Sequence, residues 1–202
     1  MKLLKTVVLL CVFGGLAFSQ ISVVNSAHNL SSSGPAAQAS NDQDRVCVFC
    51  HAPHNGGITL LWNRTNPAGS SFTPTTLTES SLRCMSCHDG VTAVNALANG
   101  VTADFTDAIA DASVIGAGNV LVGSGLLGID LSINDHPVGM DYPADDTDYF
   151  HNASLVDPIV QLVGAGKQIE CISCHNAHDM QHGSFLAMNN AGSALCLECH
   201  DR

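Results

Sequence analysis

The chain has 202 residues, with 18 Asp and Glu against 7 Lys and Arg and a formal net charge of −11. A nucleic-acid partner needs the opposite sign to neutralise its phosphates, so that class is excluded. Aromatic residues make up only 5 % of the chain and Trp62 is the single tryptophan, so large apolar side chains are too few for an ordinary core and something else has to fill the centre.

In chain order, Lys2 and Lys5 precede an apolar run from Thr6 to Leu16, and Ala17-Phe18-Ser19 reads as a small-x-small cleavage site. The run is shorter than the ~20 apolar residues that span a bilayer. Residues 1–19 are therefore expected to be a cleaved export signal, and 20–202 a single mature domain at the cell surface, outside the cell or in the periplasm. Cys11 lies inside the signal. A lipid anchor there is disfavoured by the bulky Leu10 before it and by the short apolar run ahead. Removal of the signal leaves five basic residues (Arg45, Arg64, Arg83, Lys167, Arg202) and a charge of about −13. No later stretch is long and apolar enough for a membrane span.

The other eight cysteines form four pairs of one pattern. They are Cys47/Cys50 followed by His51, Cys84/Cys87 by His88, Cys171/Cys174 by His175, and Cys196/Cys199 by His200. C-x-x-C-H is the attachment signature of c-type haem. Two thiols add to the two haem vinyl groups as thioethers, and the histidine after the second thiol is held under the ring as a ligand to iron. A zinc ribbon or a disulfide framework would use the cysteine pairs but would not require a histidine after each of them. The pattern thus calls for four covalent haems, which would also supply the missing core.

Six histidines lie outside the motifs, and four irons with two histidines each need four of them. His54 and His178 each follow a motif histidine by three residues. Three residues reach about 10 Å at most, too little to wrap to the far face of the same haem, so each is expected to ligate a neighbouring one. His28 and His136 complete the candidate distal set, with Pro137 and Gly139 fixing a turn beside His136. His151 and His182 are reserves. Met85, Met140, Met180 and Met188 are alternative sixth ligands, made the weaker choice by the surplus of imidazole, which suits iron well.

The motifs group as two pairs, residues 47–88 and 171–200, an internal repeat in which the first motif of each pair carries the extra histidine. Pro53 disfavours helix before it, so the two C-x-x-C-H-x-x-H segments need not share one backbone shape. The intervening segment, 89–170, is rich in Gly and Asp and shows no clear helix. Its apolar runs within 114–131 suggest short strands and hairpins broken by Gly. The expected fold is mostly irregular coil, with a few short helices through the motifs and short strands or hairpins, wrapped around a core of four stacked haems. Asn29, Asn63 and Asn152 match glycosylation acceptors.

The segments AHNLSSSG, CVFCHAPHNGG, LLWNR, SLRCMSCHDG, NDHPVG, CISCHNAH and FLAMNNAGSALCLECH occur in this order. The set resembles secreted multihaem cytochromes with doubled C-x-x-C-H motifs. It is most similar to the tetrahaem extracellular cytochromes of metal-reducing bacteria, the OmcE-like group, which polymerise into conductive filaments. The resemblance covers most of the chain after the signal, and residues 92–128 match nothing in it. It implies an electron-transfer protein rather than an enzyme, with bis-histidine haems in a continuous chain. The implied partners are further copies of the same chain, upstream outer-membrane or periplasmic redox proteins and extracellular acceptors. It also implies an axial histidine shared between adjacent subunits, for which His28 is the candidate by its position ahead of the first motif. A monomeric periplasmic shuttle and, less favoured, a multihaem reductase are the alternatives.

Overall fold

Gly, Ser, Asn and Asp interrupt the sequence every few residues, and regular elements are correspondingly short. The computed structural model describes residues 22–201 apart from 58, 134, 144–148 and 157. Residues 1–19, expected to be an export signal and including Cys11, lie outside the described residues.

The longest element is helix α1, Glu79–His88. Thr78 starts it by accepting from the Ser80 N–H, Glu79 stands in the first turn and His88 in the last, which suits the helix dipole at both ends. Helix α2 is Thr106–Asp111, closed by Ala112 in the left-handed region at φ 52°. Helices α3, Cys171–Cys174, and α4, Ala194–Leu197, are one turn each. Strand β1, Met140–Asp141, pairs antiparallel with β2, Gln168–Ile169, with Met140 opposite Ile169.

The coil-dominated architecture agrees with the sequence reading. Helical turns run into all four motifs: a 3-10 turn at Val46–Phe49, then α1, α3 and α4. Within 114–131 the chain turns back as a hairpin without strands. The Gly116 N–H donates to the Val120 carbonyl and the Val122 N–H to that of Val114. Two corrections follow. The intervening segment does hold a helix, α2, nucleated where Asp104 accepts from the backbone and hydroxyl of Thr106; six residues carry too little periodicity to announce it. Asn29 and Asn63 are fully buried and therefore no use as glycan acceptors. The Asn63 amide donates to the Val48 carbonyl and its oxygen accepts from the Asn99 N–H.

The apolar core is divided in two. Val48, Phe49, Val94, Ala103, Phe105, Ala108, Ile115 and Leu121 form one cluster. Phe72, Leu77, Leu82, Met85 and Leu131 form the other. Three of the four residues between the cysteines of the first two motifs belong to these clusters: Val48 and Phe49 to the first, Met85 to the second. Burying a side chain of this size contributes about 2 kcal/mol, so the first two motifs are fixed by their own spacer residues. Met85 is thereby a core residue.

A buried carboxyl joins the two motif pairs. Glu170 has no exposed surface. It accepts from the Thr78 N–H at 3.0 Å and from the Ser81 hydroxyl, both at the start of α1. It also forms a capping box with Ser173 at the start of α3. The Ser81 oxygen in turn accepts from the Cys171 N–H at 2.9 Å. One carboxyl therefore serves the first turns of two helices, where free N–H groups point outward.

Candidate haem-binding sites

The first and third motifs are followed by the same loop. In the first, the Ala52 N–H donates to the Leu61 carbonyl, the Asn63 N–H to that of Cys50, and His51 bridges Trp62. In the third, the Asn176 N–H donates to the Phe185 carbonyl, the Ala187 N–H to that of Cys174, and His175 bridges Leu186. The registers coincide residue for residue, so the two segments share one loop despite Pro53, although the motif turns before them differ, 3-10 in the first and α in the third. Both loops turn through two successive non-glycine residues at positive φ, Leu60 (57°) and Leu61 (53°), and Ser184 (47°) and Phe185 (57°). Side chains there are strained.

The turn carbonyl has a definite task. His51 Nδ1 lies 2.8 Å from the Leu60 oxygen and His175 Nδ1 3.0 Å from that of Ser184, nine residues on in both cases. His88 Nδ1 contacts the Gly125 oxygen at 2.6 Å. A carbonyl can only accept, so Nδ1 carries the proton in each ring and Nε2 is left with its lone pair for a metal. Two candidate distal residues share the feature: His28 Nδ1 donates to the Ala177 oxygen at 3.2 Å and His136 Nδ1 to that of Pro137 at 3.0 Å.

Three motif histidines face a second imidazole. Ring centroids are 6.1 Å apart for His51 and His178, 6.2 Å for His88 and His28, and 6.3 Å for His200 and His136. Two imidazoles on opposite sides of one metal, with bonds of about 2 Å, have centroids about 6 Å apart. The donor sets thus fit a haem iron held from both faces. The ring planes are nearly parallel in the first pair, at 18°, and steeply inclined in the others, at 75° and 70°. Among the described residues no imidazole pairs with His175, and His54, His151 and His182 face no other ring. Burial pushes the His28 imidazole down from its ordinary pKa, against the Ala177 carbonyl and with help from His88, His178 and His175, which keeps it in the neutral form a ligand requires.

The thiols are gathered in the same order. Cys84 of the second motif lies beside Cys171 of the third, and the interaction raises the Cys84 thiol and lowers that of Cys171 to about 7. Burial pushes Cys50 up to about 12, with Cys87 close enough to add to the effect. Cys174 is raised by burial and then by Cys199 and Cys196. Haems attached at these thiols would lie close to one another along the chain of motifs. Beside His51, the Trp62 indole nitrogen is buried with no acceptor among the described residues. An acidic group such as a haem carboxylate is what that N–H lacks.

Residues 163–202 match the family model described as doubled CXXCH motif. The match supports a multihaem c-type cytochrome. No curated protein matches the chain. The matched residues contain the third and fourth motifs; the first and second repeat their C-x-x-C-H spacing.

Some functional residues escaped sequence reasoning. The carbonyls of Leu60, Ser184 and Gly125 have no signature, because any residue supplies one. Arg64 stood in a quoted segment without a role. Its guanidinium is buried and donates to the Ser86, Ala93 and Val94 carbonyls and the Ser86 hydroxyl. Ser86 lies in the last turn of α1, where carbonyls lack helical partners, so Arg64 caps the helix that carries the second motif.

Proposed function

We propose that the protein is an exported electron conduit holding four c-type haems, polymerised outside the cell into a filament that carries electrons to extracellular acceptors. Each haem, when bound, supplies an iron that gains and loses one electron. The chain's own residues do the rest. Eight cysteines would anchor the groups covalently, Nδ1 hydrogen bonds aim three of the four motif imidazoles, and three histidine pairs would close both faces of their sites to substrate. The observation that carries the reading is the three imidazole pairs at 6.1–6.3 Å. The acidic surface keeps neighbouring assemblies apart.

The repeat favours the polymer over a shuttle. His178 follows its own motif histidine by three and faces His51, one repeat earlier. His54 occupies the same place after His51, and one repeat earlier than that lies on another copy. The unpaired His175 is its natural target. In this reading His28 serves its own chain, opposite His88, and the ligand shared between subunits is His54 rather than His28.

Electron microscopy of the natively secreted, haem-loaded protein tests this directly. Uniform fibres are expected, and His54→Ala should abolish them while converting one haem in four to high spin. Small monodisperse particles from the unmodified protein would sink the polymer and favour a periplasmic shuttle. The unpaired His175 also permits a reductase, which needs an open iron; a high-spin ferric signal in assembled fibres would select that reading.

The ring angles make a second prediction. Electron paramagnetic resonance of the oxidised protein should include a rhombic low-spin signal from the near-parallel His51 and His178, beside that of the fourth site, whose ring angle depends on another copy. It should also show two large-gmax signals, from the inclined pairs. A spectrum with rhombic components alone would refute the pair assignment.

A further inference from the structure

We propose that Phe185 is the positioning residue for His28, fixing the plane of that imidazole and with it the electronic character of the second haem site. The proposal rests on the reading of His28 and His88 as ligands of one iron.

Two contacts from the loop after the third motif define the His28 ring. Ala177 takes the Nδ1 proton at 3.2 Å, which sets the edge of the ring but leaves it free to swing about that bond. Phe185 stacks on the face, with centroids 4.1 Å apart and planes inclined by 19°. A face contact of this closeness opposes rotation in a way that a hydrogen bond alone does not. The result is the inclined arrangement, 75°, between His28 and His88.

The backbone at Phe185 indicates that the placement is imposed rather than incidental. Ser184 and Phe185 both stand at positive φ, a region that bulky side chains avoid. The turn does two things at once: the Ser184 carbonyl receives the proton of His175 Nδ1, and the next side chain is thrown onto His28. One turn thereby ties the proximal ligand of the third site to the distal ligand of the second. The same turn recurs at Leu60 and Leu61, where the Leu60 carbonyl serves His51. There the position of Phe185 is taken by Leu61, which is 50 % exposed and stacks on no ring. The carbonyl task thus belongs to both copies and the aromatic contact to one.

The test uses the haem-loaded protein with Phe185→Leu, Phe185→Ala and Phe185→Tyr, and Leu61→Ala as the control at the equivalent position. Haem content and the low-spin spectrum of the unmodified protein are recorded first; without low-spin bis-histidine signals there, the underlying reading fails before Phe185 is at issue. Given those signals, Phe185→Leu and Phe185→Ala are expected to shift one of the two large-gmax components toward the rhombic form and to move the potential of one haem. Phe185→Tyr should restore both, and Leu61→Ala should leave both large-gmax components unchanged. An unaltered spectrum in Phe185→Ala and Phe185→Leu would overturn the proposal. So would an equal loss of all signals in both variants, which would mark Phe185 as a general packing residue.

Discussion

Replacing Glu170 by alanine is expected to lower the free energy of unfolding by about 4 kcal/mol or more. The carboxyl is fully buried and holds the Thr78 N–H, the Ser81 hydroxyl and the Ser173 N–H. Alanine would strand two of these donors, the Thr78 N–H and the Ser81 hydroxyl, at about 1–3 kcal/mol each, while the Ser173 N–H keeps the backbone carbonyl of residue 170. Glu170→Gln keeps the volume and one acceptor oxygen, and about half the loss is expected. Denaturant unfolding of the haem-loaded protein, followed by far-ultraviolet circular dichroism and by the Soret band, measures both. The damage should concentrate at the junction of the motif pairs, because the same group orders α1 and α3 and brings Cys84 against Cys171. A loss below about 1 kcal/mol for alanine would mean that the attached haems, not this carboxyl, hold the pairs together.

Arg64→Met is expected to cost a similar amount, about 3–5 kcal/mol. Arg64 is 5 % exposed, and its guanidinium hydrogen bonds go to three carbonyls and a hydroxyl rather than to a carboxylate. Removing it leaves the end of α1 uncapped and the Ala93 and Val94 carbonyls unpaired. Lysine is no substitute: one ammonium cannot present the planar fork that spans acceptors on two segments. Arg64→Lys should therefore recover less than half of the loss. The charge also lies near Cys50 and Cys87, whose thiols it acts to lower. A buried cation there disfavours the more positive, oxidised state of a nearby haem. Potentiometric titration of Arg64→Met should show a downward shift in the potentials of the first two sites. Unchanged potentials together with an unchanged denaturation midpoint would reduce Arg64 to a spectator.

The chemistry was legible in the sequence because it is local. A thioether pair and its ligand occupy five consecutive residues, so Cys171, Cys174 and His175 declare themselves wherever the chain goes. The coil-rich fold was legible for the same reason: Gly, Asn and Asp act on their own backbone and break elements where they stand. The distal histidines divided. The sequence supplied the candidates, yet nothing local distinguishes His28, which faces His88, from His182, which faces no ring among the described residues.

What the sequence by itself determined is the C-x-x-C-H pattern with the haem chemistry it calls for, its occurrence in pairs and the acidic charge of the chain. Only the tertiary structure decided which imidazoles lie near one another: His51 and His178, His88 and His28, His200 and His136. It also decided that one repeated loop serves both C-x-x-C-H-x-x-H segments despite Pro53, and that Arg64 and Glu170 sit inside. The physical reason is range. Covalent attachment depends on residues a few bonds apart, whereas ligand pairing and buried polar contacts join residues such as His28 and Ala177, 149 positions apart. Those encounters depend on how the whole coil closes, and no spacing along the chain records them.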